Sequence, residues 1–191
     1  MKEGEDQFYI NKIKEGNTDL YAVLVDRYKN MAYTIAMKVL GNKDDSQDVA
    51  QESFIKAYQQ LHTFKGNSKF STWLYTIVYR TAISKWKENR LETQSIDESM
   101  HERFTHEQTF QPYNQLQIKD EQEFINQAIQ RLPRTEALLV TLFYINESSI
   151  KEIREITGLS LPNVKIKLFR ARKKLERDLK FLMRPEMITR E

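Results

Sequence analysis

The chain has 191 residues, of which 30% are charged and 40% apolar, and its net charge is only +3 at pH 7. That length suits one large or two small domains, and so weak a total charge makes any nucleic-acid reading depend on where the cations cluster. Cysteine is absent, which excludes a disulfide framework, a thiol nucleophile and cysteine-ligated zinc. The opening MKEGEDQFY has no apolar run of a signal peptide, and no stretch approaches the roughly twenty apolar residues of a spanning helix. A cytoplasmic protein is expected.

Glycine and proline are scarce, five and four residues, and β-branched alternation is nearly missing. The pattern predicts an all-α fold. A first helix is expected over about 7–15, anchored by Phe8 and Ile13. Thr18 or Asp19 can cap a second over about 20–40, closed by Gly41-Asn42. Its stripe runs through Leu20, Val23, Leu24, Tyr28, Met31, Ala32, Ile35, Ala36 and Val39. Asp44 or Asp45 can cap a third helix reaching about 62. There Ala50, Phe54, Ala57, Tyr58 and Leu61 make the apolar face, while Asp45, Asp48, Gln51, Glu52 and Ile55 lie toward other faces. Favourable interaction of acids with the helix dipole accounts by itself for Asp44, Asp45 and Asp48.

The polar loop TFKGNSKFST leads into a fourth helix over about 72–89, completing a first bundle over about 1–90. In this stretch Phe64, Lys65, Gly66, Asn67, Ser68, Lys69, Phe70, Trp73 and Tyr75 mix aromatic, small and basic residues. Capturing unstacked bases calls for such a mixture; Phe64, Phe70 and Trp73 serve a hydrophobic core equally well. From about 91 to 120 the composition turns to Gln, Glu, Ser and Thr without period. Leu91 to Glu123 holds eight acids against two bases. This reads as a flexible acidic linker, longer than connections inside a compact domain and disordered in the isolated protein.

Helices are expected next over about 122–131, 134–146 and 149–157, with Pro133 separating the first pair. The last has an apolar stripe of Ile150, Ile153 and Ile156, and Gly158 suits its left-handed end. Ser160 can cap the following helix, and Pro162 is tolerated in a first turn. Val164, Leu168, Ala171 and Leu175 give that helix a buried face. Its other faces carry Asn163, Lys165, Lys167, Arg170, Arg172, Lys173 and Lys174, and Asn163 to Arg184 holds nine Lys or Arg against two acids. The segment reads either as a DNA-reading helix-turn-helix or as a helical hairpin with a solvated basic face.

Three blocks in this order carry a resemblance over nearly the whole chain outside the linker and the extreme ends. They are DDSQDVAQESFIKAYQQL, FKGNSKFSTWLYTIVYRTAIS and LPRTEALLVTLFYINESSIKEIREITGLSLPNVKIKLFRARKKL. The chain resembles the sigma factors of bacterial RNA polymerase, in the extracytoplasmic-function (ECF) group of the sigma-70 family. The resemblance implies two small helical domains, a sigma2-like bundle (1–90) and a sigma4-like helix-turn-helix domain (121–191), joined by the acidic linker (91–120).

It further implies docking of the third helix on the β′ subunit of core polymerase through Asp45, Asp48, Gln51, Glu52 and Ile55. Promoter DNA would be read at two elements. At the -10 element the loop would hold a flipped base through Asn67, Ser68 and Lys69 within the setting of Phe64, Phe70 and Trp73. Thr76, Tyr79, Arg80 and Ile83 would lie on the reading helix, with Lys85, Lys87 and Arg90 at phosphates. At the -35 element the residues would be Arg154, Asn163, Lys165, Ile166, Lys167 and Arg170, with Lys174 continuing along the backbone. The linker is either a tether or a mimic of nucleic-acid charge in the polymerase channel.

The chain departs from the family pattern at Arg80, where Asn is usual, and at Ser84, where Asp is frequent. It also departs at Pro162 and Asn163, where small residues are common, and at Arg154, where Ala is usual. The expected partners are core RNA polymerase (β and β′ subunits), promoter DNA and an anti-sigma factor, which could hold the chain at the inner membrane face. No cofactor, metal or small-molecule substrate is expected. The three histidines, His62, His101 and His106, form no HExxH pair, and no phosphate loop or GxSxG elbow occurs, so enzymatic activity has no carrier. A stand-alone operator-binding regulator is the alternative, but it leaves the loop and the third helix without a task. A module that only sequesters protein partners leaves the basic helix without one.

Overall fold

A computed structural model of the protein describes residues 2–94 and 119–182. Eight α-helices form among them: α1 (Lys2–Lys14), α2 (Tyr21–Leu40), α3 (Lys43–Gln60), α4 (Phe70–Gln94), α5 (Lys119–Gln130), α6 (Arg134–Val140), α7 (Ile150–Thr157) and α8 (Leu161–Leu182). The described residues contain no strand. Most of the expected linker, 95–118, lies outside the described residues, while its first residues extend α4 and its last begin α5.

The first bundle follows from three apolar stripes. Leu24, Tyr28, Ala32, Ile35, Ala36 and Val39 recur along α2 at helical spacing and are buried. They meet Val49, Ala50, Phe54 and Ala57 of α3 and Leu74, Tyr75, Val78 and Ala82 of α4. Small residues at Ala32, Ala36 and Ala57 let the helix axes approach closely. Fully burying a Leu or Ile stabilises by about 1.5–3 kcal/mol, so Leu24, Ile35 and Leu74 are principal supports.

The ends of the helices differ from several expectations, each for a local reason. Residues Thr18–Leu20 form a 3-10 turn that runs straight into α2, so neither Thr18 nor Asp19 caps it. The cap of α3 is Asn42, whose side chain accepts from the Asp45 N–H at 3.0 Å. Asp44 and Asp45 therefore sit inside the first turn, where they complement the dipole. Phe8 is 57% exposed, because α1 turns Asp6, Ile10 and Ile13 inward instead. Helix α6 ends at Val140 and passes into a π-turn over Thr141–Ile145, followed by left-handed Glu147 (φ 54°).

Helix α7 ends as expected at Gly158 and α8 starts at Ser160, and a capping box that was not foreseen starts α7. Ser149 accepts from the Glu152 N–H at 3.2 Å, and the Glu152 carboxylate accepts from the Ser149 N–H at 2.7 Å. This capping box fixes the start of α7, and Gly158 (φ 72°) ends it. Ser160 accepts from the Asn163 N–H at 3.4 Å at the start of α8.

The two bundles pack on one another. Helix α7 lies along α4 and α6 against α2, and one apolar cluster joins Ile153, Val164 and Leu138 to the core of the first bundle. Gly41 closes α2 at φ 73° beneath the Arg134 guanidinium, where a Cβ would lie 2.5 Å from Nη2. Arg134 Nη1 donates to the Val39 carbonyl at 3.2 Å.

Candidate nucleic-acid interface

Three surfaces gather the residues singled out in the sequence. The first is a groove of about 920 Å3 between α2 and α3. Ala50, Gln51, Phe54, Ile55 and Tyr58 line one wall; Tyr21, Ala22 and Val25 line the other. Ile55 is 52% exposed at its edge. Tyr58, expected on the buried face of α3, is instead 40% exposed and leans on Tyr21, ring centroids 4.9 Å apart. The Tyr21 hydroxyl donates to the Phe54 carbonyl at 2.7 Å and so ties the walls together. Burial, with Tyr58 beside it, pushes that hydroxyl well up, so it remains a donor. Of the acidic residues expected to surround Ile55, Asp48 and Glu52 are exposed, and Glu52 pairs with Lys56 at 2.6 Å. Asp45 is turned toward α4, where Asn89 Nδ2 donates to it at 3.0 Å. The α2 wall was not foreseen, because Tyr21, Ala22 and Val25 lie off the apolar stripe read along that helix.

The second surface is the loop before α4. Phe64 and Phe70 are buried, and with half-buried Trp73 they form a ring cluster with centroids 5.4–5.7 Å apart. Gly66 (φ 74°) turns the chain above them. A pocket of about 330 Å3 opens there, lined by Phe64, Asn67, Ser68, Lys69 and Phe70 from the loop and by Asp6, Gln7 and Ile10 from α1. Lys14 Nζ donates to the Phe64 carbonyl at 2.7 Å and ties α1 to the loop. The buried Asp6 carboxylate accepts from both Arg27 and Tyr28 of α2. Burial and the neighbouring Asp6 push the Tyr28 hydroxyl up, so it stays a donor to that carboxylate.

Along α4, Thr76, Tyr79 and Ile83 are half-buried while Arg80 and Lys87 are exposed. The Thr76 hydroxyl donates to the Thr72 carbonyl at 2.8 Å. The helix-turn-helix meets the start of this helix. Lys69 pairs with Glu152 of α7 at 3.2 Å, and the buried Thr72 hydroxyl donates to the same carboxylate at 3.4 Å. Burial raises the Glu152 carboxyl, but the hydrogen bonds from Ser149 and Lys69 outweigh it and hold the group below the ordinary carboxylate range.

The third surface is the outer face of α8. Asn163, Lys165, Ile166 and Arg170 are exposed together, with Arg154 exposed on α7. Lys167 is half-buried. Lys174 points inward to α6, where it donates to Glu136 at 3.0 Å. Phe169, 56% exposed, lies under the Lys173 ammonium at 4.9 Å, and Arg172 stacks over Phe143 and Tyr144. Val164, Leu168 and Ala171 anchor the opposite face in the core, so α8 presents a mixed basic and apolar strip outward.

A helical bundle followed by a helix-turn-helix domain with an open basic helix defines a two-module, all-α protein. Known proteins agree with that architecture. The family description "Sigma-70 region 2" matches residues 24–92, and "Sigma-70, region 4" matches 125–175. The chain is 31% identical over 182 residues to the ECF RNA polymerase sigma factor SigW of Bacillus subtilis, with 91% of this chain and 96% of SigW covered. It is 28% identical over 185 residues to the ECF RNA polymerase sigma-E factor of Escherichia coli, covering 94% and 96%.

Two solved structures share the fold. The sigma factor RpoE in complex with the anti-sigma factor NepR from Bartonella quintana has a TM-score of 0.63 at 21% identity, covering 84% of this chain and 96% of RpoE. CnrH in complex with the cytosolic domain of CnrY has a TM-score of 0.59 at 22% identity, covering 92% and 97%. The chain belongs to the ECF group of the sigma-70 family. No helix among the described residues is long and apolar enough to cross a membrane.

Proposed function

We propose that this chain binds core RNA polymerase and directs it to promoters with -10 and -35 elements, capturing melted bases of the -10 non-template strand. The supporting observation is the presence on one chain of three separate surfaces with different chemistries. An apolar groove with a polar rim suits a protein contact. A loop pocket with amide, hydroxyl and ammonium groups above buried aromatics suits an unstacked base. An exposed basic helix in a helix-turn-helix suits a major groove.

In this reading the groove between α2 and α3, with Asp48, Gln51, Glu52 and Ile55 on its edge, meets the β′ subunit, and Asp45 steadies the junction with α4. Asn67, Ser68 and Lys69 hold the flipped base over Phe64, Phe70 and Trp73. Thr76, Tyr79, Arg80 and Ile83 follow the element along α4, and Lys87 holds a phosphate. Arg80 offers a bidentate donor suited to guanine. Asn163, Lys165, Ile166, Lys167 and Arg170 read the -35 element, with Arg154 at phosphate and Lys174 bracing α8 through Glu136. An anti-sigma partner covering these faces, possession of separate sigma2-like and sigma4-like domains on an acidic linker, and a cytoplasmic location complete the proposal.

The test is transcription with purified core polymerase. The expected result is promoter-specific initiation that needs both proteins, with permanganate-reactive thymines near -10. Ile55→Asp should weaken core binding about tenfold or more, as for a central apolar contact, without changing the melting temperature. Tight binding of the chain alone to a palindromic operator, with no initiation on adding core, would overturn the reading.

A further inference from the structure

The pocket beside Gly66 has a wall that the loop does not supply. Asp6, Gln7 and Ile10 of α1 face Asn67, Ser68 and Lys69 across it, and α1 precedes the stretch that matches region 2. Three ties hold α1 in place. Ile10 is fully buried, Asp6 accepts from Arg27 and Tyr28, and Lys14 bonds the Phe64 carbonyl. Gln7 is therefore an exposed side chain on a rigid support.

Its orientation is directed. Gln7 Nε2 donates to Asn11 Oδ1 at 2.9 Å, one turn along α1. The carbonyl Oε1 is left toward the loop, 3.3 Å from where a Cβ on Gly66 would stand. Any side chain at Gly66 would press on this oxygen, besides being strained at φ 74°. The pocket thus meets its occupant with a hydrogen-bond acceptor on the α1 side, turned there by the Asn11 bond. Its volume of about 330 Å3 is at the small end of ligand sites, the scale of a single flat heterocycle.

We propose that Gln7 is a specificity-determining residue of this pocket, its carbonyl accepting from the exocyclic amino group of a captured cytosine or adenine. Both bases carry an amino donor where thymine and guanine carry a carbonyl acceptor, which would face Oε1 with like polarity. Asp6 acts as a positioning residue, and Asn11 keeps the amide turned. The inference rests on the proposed capture of a -10 base by the loop and adds which edge of that base is read.

The experiment uses the full chain bound to core polymerase and fork-junction promoter DNA. Each of the four bases, and an abasic site, is placed in turn at every non-template position of the -10 element. Complex lifetime is read out. The abasic series identifies the captured position, where cytosine or adenine should outlast thymine and guanine roughly tenfold, as one added hydrogen bond and one avoided mismatch allow. Gln7→Lys, which offers only donors, should abolish or reverse that order at this position alone. Gln7→Glu, which keeps an acceptor, should preserve it. Unchanged base profiles in Gln7→Lys, or an equal loss for all four bases, would overturn the role of Gln7 while leaving base capture standing. Absence of any abasic-sensitive position in the wild type would instead overturn base capture and this inference with it.

Discussion

The two surfaces proposed to read DNA are kept in opposite states. The outer face of α8 lies open, with Asn163, Lys165, Ile166 and Arg170 exposed. The start of α4 instead packs against α7, with Lys69 and Thr72 both engaged on Glu152. The difference follows from composition. Lysine and arginine are well solvated and can wait in water at little cost. Thr72 is buried, and its hydroxyl needs an acceptor, which Glu152 supplies. Glu152 serves twice, as the third residue of the capping box on α7 and as the acceptor for the loop. In the proposed role, a promoter can meet α8 directly, whereas Lys69 must leave Glu152 before it can turn to DNA.

The contrast can be broken at several points. Glu152→Lys should have the largest effect, because it removes the capping box and sets two ammonium groups together. A loss of about 2–3 kcal/mol is expected from a lost cap plus an uncompensated charge contact, read as a lower melting temperature and faster amide exchange in α7. Glu152→Gln separates the two roles. Glutamine can complete a capping box, so α7 should stay folded while its contact with the loop weakens.

A smaller effect is expected at the other junction. Gly41→Ala places a methyl at φ 73° against the Arg134 guanidinium and should cost about 1 kcal/mol or more in thermal stability. Lys165→Ala on the open face should leave stability within about 0.5 kcal/mol of wild type. It should still cost about 1–3 kcal/mol of discrimination at one -35 position if Lys165 touches a base, or weaken all promoters alike if it touches phosphate. A stability loss in Lys165→Ala would mean that α8 is not the open surface described.

The weakest effect is that of pH. The Glu152 carboxyl is held below its ordinary range in the folded chain. Its contribution is therefore present above the unfolded value of about 4.3 and is lost as pH falls through the lower folded value. The difference in melting temperature between wild type and Glu152→Gln should be constant near neutrality and shrink only in acid. A difference that disappeared near pH 6 would implicate another group.

What the sequence disclosed was mostly local. Gly158 marks the end of α7 through its own backbone conformation, and the stripe of α2 follows from its own periodicity; the Ser149–Glu152 capping box is equally local and went unread. Periodicity placed Ile55 off the buried face of α3, and the family resemblance singled it out for docking. Tyr58 could not be placed, because its partner Tyr21 lies across a helix pair. The Glu152 contact with Lys69 and Thr72 spans about eighty residues and leaves no spacing signal. Gln7 gave no signal either, since its position beside Gly66 depends on how α1 folds back on the loop. Asp6 would be expected in water from its type alone, and only Arg27 and Tyr28, donated by another helix, permit its burial.

Whether the junction of α7 with the start of α4 must part before a promoter opens can be tested directly because the chain has no cysteine. Ser71→Cys on α4 and Lys151→Cys on α7 introduce thiols next in sequence to Thr72 and Glu152, on two helices that pack together, and leave the Lys69–Glu152 pair in place. Joining them in the free chain with a short, reducible bis-maleimide should give an internally linked protein in high yield. Supplied with core polymerase, that protein should fail to open promoter DNA until the linker is reduced, and should then initiate normally. Poor linking in the free chain, or full initiation by the linked protein, would contradict the account.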